Sequence, residues 1–131
     1  MIPKIRQAAA VALSVIAFSG VHAASETSER AEARYRTAME RCQPMRGNAQ
    51  DVCEKDAKAA REKARAGERA ARKGTPEARM DARESTARAE YRAAKERCDS
   101  LRGKEQTACE SNAKAVLDRQ QADAERKRKS N

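Results

Sequence analysis

Apolar residues are sparse along this chain, and where they occur they recur at spacings of three and four. Tyr35, Ala38, Met39, Cys42 and Met45 share one face of a helix. After a short interruption, Ala49, Val52, Cys53, Ala57 and Ala60 form a facing stripe on a second helix. Tyr91, Ala94, Cys98 and Leu101 mark a third, and Ala108, Cys109, Ala113, Val116 and Leu117 a fourth. The punctuation agrees. Thr27 or Ser28 suits the cap of the first helix. Arg46-Gly47-Asn48 reads as a stop and restart, with Arg46 at the negative helix end and Gly47 in a left-handed position. Asn48 followed by Asp51 resembles a capping box. The second helix runs to Lys73, weakened at Gly67 by about 1 kcal/mol relative to Ala. Gly74-Thr75-Pro76-Glu77 is the clearest boundary: a closing glycine, a capping threonine, a first-turn proline and an acid at the positive dipole end. The third helix is predicted over Pro76 to Arg102, Gly103 turns the chain, and the fourth frays from Arg126 to Asn131.

The stripes belong to an internal repeat. The segment from Tyr35 to Lys58 returns 56 residues later as Tyr91 to Lys114, and thirteen of its 24 positions are identical. The sequence thus divides into a first helical hairpin repeat over 24–73, a break at 74–76, a second repeat over 77–124 and a basic tail over 125–131. Because Gly74-Thr75-Pro76 separates the repeats and few large residues fall between them, the hairpins are expected to behave independently.

Residues 1–23 have the order of a secretory signal peptide: Lys4 and Arg6, then an apolar run of 11 residues from Ala8 to Phe18, then Val21-His22-Ala23 before a cut ahead of Ala24. The run is shorter than the roughly 20 residues a membrane span requires. The remaining 108 residues contain only nine large apolar side chains, too few for an ordinary core at that length. Alanine and charged helix formers make up much of the rest. The expected fold class is all-α: two tandem disulfide-stapled hairpins, Ala-rich, with partly disordered ends.

Export changes the reading of the four cysteines, because an oxidising compartment favours disulfides. Four cysteines allow three pairings. A hairpin turning at Gly47 or Gly103 favours Cys42–Cys53 and Cys98–Cys109, each worth about 3 kcal/mol across so short a loop. The competing geometry keeps each helix unbroken. Cysteines 11 apart then share a face but lie about 16 Å from each other. They would pair between repeats as Cys42–Cys109 and Cys53–Cys98, in the manner of twin-cysteine helical hairpin proteins. A zinc or copper site built from the thiolates is disfavoured, since ten residues separate each pair and the only histidine, His22, precedes the cut. No Cys-x-x-Cys motif, histidine base or glycine-rich phosphate loop supports catalysis, so no catalytic residue, metal or cofactor is expected.

Charge is the remaining signal. Lys58, Arg61, Lys63, Arg65, Arg69, Arg72 and Lys73 give residues 58–73 a net +5, and Arg126, Lys127, Arg128 and Lys129 give the tail +3. The whole chain after residue 23 carries +7, so these two segments exceed it. They are candidates for binding anionic envelope components such as lipid head groups or lipopolysaccharide phosphates, or an envelope protein. No aromatic residue lies in either segment to stack on bases, so no specific nucleic acid is expected.

The unit Tyr-x2-Ala-x3-Cys, Gly, Cys-x3-Ala-Lys resembles one found in small exported proteins of Gram-negative bacteria. Here it comprises Tyr35, Ala38, Cys42, Gly47, Cys53, Ala57 and Lys58, then Tyr91, Ala94, Cys98, Gly103, Cys109, Ala113 and Lys114. The resemblance implies a periplasmic or secreted location and no particular activity. In composition alone the chain is also similar to the helical stalk of the TolA envelope protein. The expected role is non-catalytic, in structure or interaction at the envelope. The alternative is a metal- or redox-responsive thiol protein.

Overall fold

Thr27 is extended, and its hydroxyl accepts the Arg30 N–H at 3.5 Å, opening α1 (Ser28–Cys42). Helix α2 (Gly47–Lys73) closes at Gly74, whose φ of 67° is the left-handed conformation glycine tolerates and whose N–H donates to Ala70 O at 2.9 Å. Thr75 then caps α3 (Pro76–Cys98) by accepting the Ala78 N–H at 3.1 Å. Helix α4 (Gly103–Lys129) follows a second turn. The computed structural model describes residues 27–130. The signal peptide read over 1–23, and Asn131, lie outside the described residues.

The disulfides join Cys42 to Cys53 and Cys98 to Cys109, each with Cα atoms 5.6 Å apart. This is the within-repeat pairing, and the unbroken-helix alternative fails because α1 ends at Cys42 and α3 at Cys98. Short turns make neighbouring helices antiparallel. The 43–46 and 99–102 turns and both disulfides therefore lie at one end. Gly74, the start of α1 and the end of α4 lie at the other.

Among the described residues, α1 packs only on α2, α2 also on α3, and α3 also on α4. The described residues form an open ribbon of four helices whose two edges have no partner among them. Among the described residues the core is nine alanines with Cys42, Cys98 and Met80. Alanine permits close axial approach, but each buried methyl removes little area from water. Six of these residues lie on α3, which is flanked by α2 and α4 and so is buried on two sides.

Charged side chains stitch the Ala-lined seams. Across α1 and α2, Glu32 forms ion pairs with Arg61 and Arg65, Ser28 donates to Glu68 at 2.6 Å, and Arg61 lies 4.0 Å over the Tyr35 ring. Across α2 and α3, Lys63 pairs with Glu90, Arg92 with Glu62, Arg97 with Asp56 and Lys55 with Glu96. Across α3 and α4, Arg128 reaches Asp81 at 3.1 Å and Glu84 at 3.7 Å.

Four expectations are corrected. The hairpins do not stand apart, because α2 packs along α3. Asn48 forms no capping box: its amide donates to Glu96 O at 3.1 Å, tying the two hairpin tips together. The first and third helices end earlier than their stripes suggest. Met45 and Leu101 sit in turns, their N–H groups donating to Cys42 O and Cys98 O. The tail does not fray at Arg126, since α4 continues to Lys129.

Candidate anion-binding face

Residues on α2 turn by about 100° each, so Lys58, Arg65, Arg69 and Arg72 fall within an arc of about 60°. That face points outward, between the sides that meet α1 and α3. Lys63 lies on the opposite face, where it pairs with Glu90 at 3.0 Å. Arg61 is drawn toward α1, onto Glu32 and the Tyr35 ring. The contiguous basic run is thus split by the helix into two faces.

Most of its charge is already matched. Lys58 pairs with Glu54, Arg72 with Glu68, and Arg61 and Arg65 share Glu32. Arg69 and Lys73 have no ion pair among the described residues. They line a recess of about 230 Å³ between α2 and α3, whose α3 wall includes Asp81 and Ser85. Asp81 also receives Arg128 from α4. The two basic segments, 53 residues apart from Lys73 to Arg126, therefore meet at the same end of the ribbon across the start of α3.

The rest of the tail segment is largely self-paired. Arg126 pairs with Asp123, Lys129 with Glu125 at 2.8 Å, and Lys127 is also engaged. The hydrogen bond and charge of Glu125 raise the Lys129 ammonium above its ordinary pKa. The same bond and charge hold the Glu125 carboxyl below its own, with a smaller contribution from Arg128.

The structure also shows concavity that the repeat pattern did not announce. A groove of about 750 Å³ runs along α3 between α2 and α4, floored by Tyr91, Ala93, Ala94, Ala113 and Val116. Lys63, Glu90 and Gln120 cross it, Gln120 donating to Glu90 at 3.4 Å. All four sulfurs are bonded in pairs, so no thiolate is present as a ligand or nucleophile. Among the described residues no three His, Cys, Asp or Glu side chains are gathered to hold a metal, and no helix is long and apolar enough to cross a membrane. No family model, curated protein or solved structure matches this chain.

Proposed function

We propose that the protein is an exported, non-catalytic structural or interaction protein of the cell envelope, periplasmic or secreted, and that its basic end contacts anionic surfaces. Two disulfides are in keeping with an oxidising compartment. The observation that carries the reading is the convergence of Arg69 and Lys73 from α2 with Arg128 from α4 around Asp81. Lipid head groups and lipopolysaccharide phosphates are the chemistry such an end would recognise. The contact is electrostatic, because neither basic segment carries an aromatic or large aliphatic side chain to insert. The thiol-based alternative gains no support from four sulfurs that are already paired.

Sedimentation with anionic phospholipid vesicles tests the proposal. Binding should fall steeply from low to physiological salt, where screening acts over about 8 Å. Replacing Arg69, Lys73 and Arg128 together with Gln should weaken it, while Lys63→Gln, on the opposite face, should leave it intact. Equal binding by the triple variant, or binding that survives high salt, overturns the proposal.

A further inference from the structure

The 56-residue repeat makes α4 the counterpart of α2 and α1 the counterpart of α3. Inside the molecule α2 and α3 pack on each other. Their counterparts stand at opposite edges of the ribbon, each with one face uncovered by the described residues. We infer that copies of this chain join head to tail, with α4 of one against α1 of the next, remaking the α2–α3 seam between molecules. This goes beyond the anion-binding reading and does not depend on it.

The chemistry of the two edges supports the match residue by residue. On α3, Arg92, Glu96 and Arg97 each take a partner from α2. Their counterparts on α1 are Arg36, Glu40 and Arg41, the same residue types, exposed and without an ion pair among the described residues. On α2 the partners are Glu62, Lys55 and Asp56. Their counterparts on α4 are Asp118, Ser111 and Asn112, also exposed, with Asp118 held by Lys114 of its own helix at 2.9 Å. Arg36 with Asp118 repeats the Arg92–Glu62 ion pair. Ser111 can donate to Glu40, and Asn112 can accept from Arg41. The small residues follow the same register. Ala66 and Ala89 are each 2% exposed in the seam. Their counterparts Ala122 and Ala33 lie uncovered on the two edges, beside Ala115, the counterpart of Ala59.

The seam would be copied incompletely. Lys63 and Glu90 become Arg119 and Arg34, a like-charge pair, and Ala70 becomes Arg126. The contact between molecules is therefore weaker than the one within, and it forms at high protein concentration. Because the two faces differ, the association is heterologous and does not close at a dimer.

Sedimentation velocity of the purified protein across a concentration series tests this. The parent should show a mean mass that rises through dimer to larger species. Arg36→Asp alone and Asp118→Arg alone should each stay monomeric. Their equimolar mixture should regain association, because the introduced aspartate of one variant meets the introduced arginine of the other. A parent that remains monomeric at its highest soluble concentration overturns the inference. So do a plateau at dimer, single variants that associate as the parent does, and a mixture that does not recover.

Discussion

Replacing Cys42 and Cys53 together with serine removes one staple without leaving an unpaired thiol. The closed loop has a sequence separation of 11, for which chain entropy gives about 3 kcal/mol. For a chain of this length a urea slope of about 1–1.5 kcal/mol/M converts that loss into a midpoint lowered by roughly 2–3 M. The structure also says how the loss is distributed. Helix α2 is buried through Ala57, Ala66 and Ala70, and it holds α3 through four ion pairs as well as α1. Loosening α2 withdraws half the support of α3. The two tyrosines report the two hairpins separately, Tyr35 on α1 and Tyr91 on α3. Their ring resonances, followed through a urea titration, should disappear at one shared and lowered midpoint. If Tyr35 is released early while Tyr91 keeps the parent midpoint, the α2–α3 seam does not couple the hairpins and the reasoning fails.

Two glycines should respond in opposite directions. Gly67 lies inside α2 with nothing within 4 Å of where an added methyl would stand, so Gly67→Ala should stabilise by about 0.5–1 kcal/mol in chemical denaturation. Gly103 has equal space but a φ of 57°, so Gly103→Ala should destabilise by about 1–2 kcal/mol through backbone strain alone. Acidification should loosen the last turn of α4. Glu125 is held below its ordinary pKa by Lys129, so its contribution is present above the unfolded carboxylate pKa and is lost as pH falls through the folded value. Hydrogen-exchange protection at residues 126–129, corrected for intrinsic rates, should be lower at pH 3 than at pH 7, and unchanged protection would discount the pair.

The breaks and staples were legible because they depend on local chemistry. Gly74, Thr75 and Pro76 act through their own backbone preferences, and a glycine turn between cysteines places both on the inner side of a hairpin. The α2–α3 seam was not legible. Its contacts are Ala66, Ala70, Ala78, Ala89 and Ala93, and alanine is common on every face of these helices, so no one-sided stripe announces a partner. Met45 and Leu101 misled for a different reason. They continue the spacing of three and four beyond the point where the chain leaves the helix. Asn48 looked like a cap because its local sequence fits one, yet a carbonyl 48 positions away claims its amide. Of the basic residues, the sequence identified the charge but not its pairing, which depends on carboxylates from neighbouring helices.

The placement of both disulfides at one end has a mechanical consequence. The described chain enters at Thr27 and leaves at Ser130, both at the opposite end. A pull on these termini peels α1 from α2 and α4 from α3, one Ala contact or ion pair at a time. Peeling stops at Cys42 and Cys109, where the load passes into covalent bonds. The ten residues inside each sulfur-closed loop never extend, which withholds about 35 Å of contour at each hairpin. Reduction would release both lengths, so a force–extension trace counts the closed loops directly.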